Sequence, residues 1–228
     1  MGRYLNKFFS YSVLLACISA GGHPYDAIIN LGGDCQISYQ LYITGLRKYA
    51  LPFDSLITPY ASLKALLKND FVGFMSPENF ELVTDEKGEK YVLDKKYGTR
   101  WLHDFKIEQD FLKDYEDIAA KYVRRIDRLV QLIVSSEYPL FMRKRITKEQ
   151  AIELRDVLRT IRGAHPFLLV VLDGTPEMEA DWQEEQIKNY YLRQPKPYSW
   201  KGDCQAWREI FDALELEVSG AHASSSER

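Results

Sequence analysis

Apolar residues fall along this chain in two rhythms. Tyr25, Ala27, Ile28, Ile29 and Leu31 form a nearly unbroken run, and Phe167-Leu168-Leu169-Val170-Val171-Leu172 form another. Continuous apolar stretches of that length predict strands buried on both faces. Tyr138 to Arg143 reads as a shorter strand of the same kind, and Ile187 to Leu192 as a further one. Between these runs the spacing turns helical. Ile37 to Ile43 and Ser62 to Lys68 predict short helices. Phe111, Tyr115, Ile118, Tyr122, Ile126, Leu129 and Ile133 recur at steps of three and four, which predicts one long amphipathic helix over about 108–135. Thr147 followed by Gln150 is a capping box that opens a helix to about Ile161, and Asp203 is a good N-cap for a last helix to Leu214.

Residues 71–96 behave differently. Phe80-Glu81-Leu82-Val83 and Lys90-Tyr91-Val92-Leu93 alternate on either side of the polar stretch Thr84 to Glu89, which predicts a hairpin near residues 80–95. Leu51 to Pro59, with Pro52 and Pro59 near its ends, reads as an ordered loop. Helices alternating with buried strands predict an α/β fold. We expect a single three-layer domain over residues 25–216 with a mostly parallel sheet and the hairpin as an insertion. Residues 217–228 read as a disordered polar tail.

The ends and the totals adjust this picture. Arg3 and Lys7 precede a mostly apolar segment from Phe8 to Ala20, too short to span a bilayer comfortably, so residues 1–20 read as a signal-like segment. Leu14-Leu15-Ala16-Cys17 within it resembles a lipobox, with Cys17 as the lipidated residue. The other reading is an extra start before a domain that begins at Tyr25. Export to a periplasmic or lipid-anchored location follows from the first reading and a cytoplasmic one from the second. Any membrane attachment is expected through this segment alone. Thirty basic against 33 acidic residues leave a net charge of −3, which gives no case for nucleic-acid binding. Cys17, Cys35 and Cys204 make neither a disulfide framework nor a metal-ligand spacing. No metal and no cofactor are expected.

The candidate chemistry starts at Leu31-Gly32-Gly33-Asp34-Cys35-Gln36, a strand-to-helix turn. Two glycines allow a tight turn, and a thiol at the start of a helix meets free N–H groups and the positive end of the dipole. Such a thiol is expected to lean toward the thiolate and to act as a nucleophile; the competing reading is a small buried residue under the helix. A cysteine nucleophile needs a base. Of the four histidines, His23 and His222 lie near the chain ends and His165 enters a strand at the opposite end from Cys35, which leaves His103. Its alternative role is a partly buried loop histidine. Asp54, Asp104, Asp173 and Asp203 are candidates for orienting the ring, with loop capping the simpler role of Asp203. Asp54 lies among Pro52, Phe53 and Leu56, where an acid is normally paired. Arg143 either binds a substrate carboxylate or pairs with Asp54. Substrate contacts are expected from Arg143, Trp101 and Asp173. The glycine turn lacks the GxGxxG and Lys-Ser/Thr patterns of phosphate loops, and no GxSxG elbow is present.

Tyr25 through Cys35, Pro52-Phe53-Asp54, Tyr97-Gly98 through Phe105, Phe141-Met142-Arg143 and Trp200 through Trp207 together resemble a bacterial domain-of-unknown-function family described as papain-like cysteine peptidases. The resemblance covers nearly the whole chain from Tyr25 to about Leu214. It implies Cys35 as nucleophile and His103 as base, with a peptide or small acyl compound as substrate. Asp54 or Asp104 would orient His103, and backbone N–H groups around Gly33 to Gln36 would hold the oxyanion. The layered α/β reading sits closer to the GDSL-type esterases, in which the nucleophile also follows the first strand, so a thiol esterase is a second expectation. A third is a non-catalytic carbohydrate- or peptide-binding module with Trp101, Trp200, Trp207 and Arg143 along a groove.

Overall fold

The computed structural model describes residues 24–107 and 110–217. The signal-like segment with Cys17, His23, His222 and the tail from residue 218 lie outside them. Strand β1 (Ile28–Asn30) leads into α1 (Gln36–Ile43), then β2 (Leu56–Ile57) and α2 (Tyr60–Lys68). The hairpin β3 (Phe80–Thr84) and β4 (Lys90–Asp94) precedes β5 (Arg100–Trp101) and α3 (Tyr115–Ser135). The second half runs β6 (Leu140–Lys144), α4 (Lys148–Arg162), β7 (Leu168–Asp173), β8 (Ile187–Tyr191) and α5 (Cys204–Ala213). Strands β1, β6, β7 and β8 form a parallel sheet in that order, and β2, β5, β4 and β3 an antiparallel one. The α/β expectation holds, and the expected hairpin is the outer half of a complete second sheet.

Strand alternation sorts the core into two sides. Leu140, Met142, Leu168, Val170 and Leu172 face α1 and α5, where they meet Ile37, Leu41, Trp207, Ile210 and Phe211. Phe141, Leu169 and Val171 face the other way, toward α3, α4, α2 and the antiparallel sheet. The local caps are as the sequence indicates. Thr147 and Gln150 exchange the reciprocal hydrogen bonds of a capping box, and Asp203 accepts from the Gln205 and Ala206 amides. Helix α3 begins at Tyr115, later than its apolar spacing suggests. Asp110 takes the Leu112 and Lys113 amides into local turns, and these amides are lost to a continuous helix. Phe111 and Leu112 still pack on the core.

The turn after β1 is gripped from both faces of the sheet. Arg143 and Lys144 end β6, both almost fully buried. Arg143 donates to the carbonyls of Leu31 (2.8 Å) and Thr58 (2.7 Å) on one side. Lys144 pairs with Asp34 (3.0 Å) and donates to Gln36 Oε1 (2.8 Å) on the other. The backbones come close enough to require glycine at Gly33, whose φ is +113° and where a Cβ would lie 2.7 Å from the Lys144 carbonyl. Gly33→Ala is therefore expected to destabilise the fold by roughly 2 kcal/mol or more, read as a lower denaturant midpoint at unchanged m-value. An unchanged midpoint would mean that the turn is not packed against β6 as described.

Candidate active site

Cys35 is the N-cap of α1, with helical dihedrals and no side-chain capping bond. Its carbonyl accepts from the Tyr39 amide, and the Gln36 amide is capped by Asp34 Oδ1 at 3.0 Å. A pocket of about 330 Å³ opens beside it. One face of α1 lines it with Cys35, Ser38, Tyr39 and Tyr42, at the i, i+3, i+4, i+7 spacing of a single helical face. The loop after α1 adds Arg47, Asp54 and Ser55, the segment after β5 adds His103 and Asp104, and α3 adds Arg125. Trp200 completes the rim and meets Tyr39 edge-on at 5.1 Å. It is held there because Gln36 and Gln40, on α1, donate to the carbonyls of Trp200 and Lys201.

The two carboxylates in the pocket have opposite environments. Asp54 is nearly buried, accepts from Asn30 Nδ2 and the Leu51 amide, and pairs with Arg47 at 3.0 Å. Burial outweighs these bonds and raises its pKa. Burial also pushes Asp104 upward, but hydrogen bonds from Lys121 and Tyr122 and the charges of Lys121 and Arg125 win, and its pKa falls below the ordinary value. Cys35 departs from the expectation of a thiolate. Burial first, then the charges of Asp34, Asp104 and Asp54, push the thiol up to about 11. A helix start supplies only partial positive charge, and burial together with the adjacent Asp34 and the sequence-distant Asp54 and Asp104 outweighs it. His103 stands exposed at the rim, and among the described residues no hydrogen bond joins it to Cys35.

Residues 26–166 match the family described as "Putative papain-like cysteine peptidase (DUF1796)". The chain belongs to this family. The matched stretch carries Cys35, Asp54, His103 and Asp104. An uncharacterized protein of Acanthamoeba polyphaga mimivirus is 26% identical over 212 residues, covering 80% of this chain and 95% of that protein. That relative is viral, and the expected bacterial character of the family gains no support from it. No solved structure matches the chain.

Cys35, His103, Asp54 and Asp104 thus reach one pocket, from both sheets of a family domain. The three expected substrate contacts do not line it. Arg143 is spent on the carbonyls of Leu31 and Thr58, and the pairing considered for it with Asp54 is made by Arg47 instead. Trp101 is 1% exposed and sits in an aromatic cluster with Phe74, Phe80, Phe105 and Tyr122, because it pairs in register with buried Leu56 and Val92. Asp173 does end β7 on the Cys35 edge, but two strands away from β1, and its carboxylate accepts from the Gly174 amide. Trp101 and Trp207 belong to cores on opposite sides of the sheet, so the groove of tryptophans does not exist. Arg47, Ser55, Tyr39, Tyr42 and Arg125 were not singled out from the sequence. The tyrosines could have been found by counting one helical face onward from Cys35. Nothing local marks the arginines.

The opposed carboxylates give a pH prediction. A carboxyl with a depressed folded pKa contributes stability that is present above its unfolded value of about 3.8 and is lost as pH falls through the lower folded pKa. Asp104→Asn is expected to lower the thermal midpoint at pH 7 and to flatten its decline between pH 5 and 3. Asp54, with a raised pKa, works in the opposite sense and stays in the background of both profiles. An acid limb as steep in the variant as in the unmodified protein would overturn this assignment to Asp104.

Proposed function

We propose that the protein is a cysteine-dependent hydrolase acting on a peptide or related acyl substrate, with Cys35 as nucleophile and His103 as base. The observation that carries this reading is the arrival of Cys35, from the end of the parallel sheet, and His103, from beyond the antiparallel one, at the same pocket. The raised thiol pKa favours general-base activation over a preformed thiolate–imidazolium pair. As the Cys35 sulfur bonds to the substrate carbonyl carbon, its proton passes to the imidazole. The tetrahedral intermediate collapses with cleavage of the acyl–leaving-group bond, and the imidazolium returns that proton to the departing amine or alkoxide. Water, deprotonated by the same imidazole, then hydrolyses the thioester and frees the thiol. Asp54 and Asp104, already satisfied by other donors, oppose the thiolate in the resting site but stabilise the imidazolium once it forms.

Two measurements test this. Against a panel of chromogenic peptide amides and esters, His103→Ala is expected to lose about 10²–10⁴-fold in kcat, and Cys35→Ala all turnover above background. Turnover that survives Cys35→Ala would overturn the assignment. Alkylation of resting Cys35 by iodoacetamide, followed by mass spectrometry, is expected to climb with pH toward the value near 11 and to show no plateau below pH 7. A plateau below pH 7 would replace general-base activation with a standing ion pair.

A further inference from the structure

The charges around the pocket do not balance, and the imbalance falls on one residue. Arg47 pairs with Asp54, and Lys121 pairs with Asp104. Each carboxylate on the wall therefore has a cation of its own. Arg125 is left over: among the described residues it has no ion-pair partner, although its charge reaches both aspartates. It is nevertheless held in place. Its guanidinium lies over the Tyr122 ring, 5.4 Å from the centroid, and Nη1 approaches Ser55 Oγ at 3.5 Å. Both contacts leave most of the fork of N–H donors free, and that fork matches a carboxylate. A half-buried guanidinium without a counter-ion in a concave site is a place for an anion from outside.

We propose that Arg125 is a specificity residue that binds a carboxylate on the substrate, so that the pocket selects acyl chains carrying an acidic side chain or a terminal carboxylate close to the carbonyl attacked by Cys35. The aromatic rim of Tyr39, Tyr42 and Trp200 would cover the apolar part of the same chain. This inference rests on the pocket beside Cys35 being the substrate site.

The test uses the full chain and needs no known substrate. Cys35 and the exposed Cys204 are alkylated in the same molecule by iodoacetate, which carries a carboxylate, or by neutral iodoacetamide, and both sites are quantified by mass spectrometry. The ratio of the two rates cancels any change in a thiol's pKa. The carboxylates beside Cys35 weigh against iodoacetate there, so the decisive comparison is with the variant: the Cys35 ratio is expected to fall roughly tenfold at low salt in Arg125→Gln, by less as salt rises, and to persist in Arg125→Lys, with the Cys204 ratio unchanged in both. A Cys35 ratio unchanged in Arg125→Gln would overturn the proposal. Protection of unmodified Cys35 against iodoacetamide gives a readout that no variant's folding can disturb. Protection by N-acetylglutamate α-amide marks an acidic side chain, and protection by N-acetylglutamine with its free α-carboxylate marks a chain end. Protection by neither, with a salt-independent ratio, counts against Arg125. The catalytic reading fails separately, through turnover indifferent to Cys35 or His103, and such a result leaves the alkylation ratio intact.

Discussion

Two consecutive buried cations hold this structure in its working shape. Burial lowers the pKa of both, that of Arg143 to about 10, and both are offset by good partners. Arg143 satisfies two carbonyls that belong to no sheet ladder, and Lys144 has the Asp34 carboxylate and the Gln36 amide oxygen. Since neighbouring residues of a strand point to opposite faces, the two grip the β1–α1 turn like a pin through the sheet. Removal of either would strand its partners without donors inside the protein, which costs more than the bond itself contributes. The placement of Cys35 follows from this pin, because a single residue, Asp34, separates Cys35 from the nearest glycine of the turn.

The pocket lies on the seam between the two sheets. Cys35 and its helix belong to the parallel sheet, while Ser55 flanks β2 and His103 follows β5 of the antiparallel one. The antiparallel sheet is locked to α3 by the aromatic cluster of Trp101, Phe74, Phe80, Phe105 and Tyr122. Tyr122 joins that cluster and also bonds Asp104 through its hydroxyl. One residue thereby links packing in the core to the electrostatics of the pocket. Rings that interlock edge to face leave little freedom to slide, so the cluster positions the side of the pocket that carries Asp104.

What could be read in advance was local. The buried runs, the capping box at Thr147, the cap at Asp203 and the glycine turn before Cys35 each announce themselves within a few residues, and each stands where the chain indicates. Asp54 was also legible as a paired acid, since an acid among Pro52, Phe53 and Leu56 has few other fates. The misreadings share one cause. Arg143 and Trp101 looked like groups for a ligand because a linear pattern does not reveal which carbonyls lack donors or which faces of a sheet meet. Arg125 was hidden in the opposite way: the polar side of an amphipathic helix has the same pattern whether it faces water or a pocket. The thiol at Cys35 was misjudged because its burial and the charges of Asp54 and Asp104 come from distant parts of the chain, and only Asp34 lies beside it in sequence.

The parallel ladder has a consequence for how the molecule comes into being. Ile28 pairs with Leu140, and the pin that shapes the Cys35 turn is made only when Arg143 and Lys144 are in place. Trp200 comes later still. Contacts of such sequence separation form late and slowly, so a ribosome-bound chain carries its thiol for most of its synthesis without a formed pocket around it. Until then Cys35 is an ordinary exposed thiol, and the burial and carboxylates that raise its pKa arrive only with the finished fold.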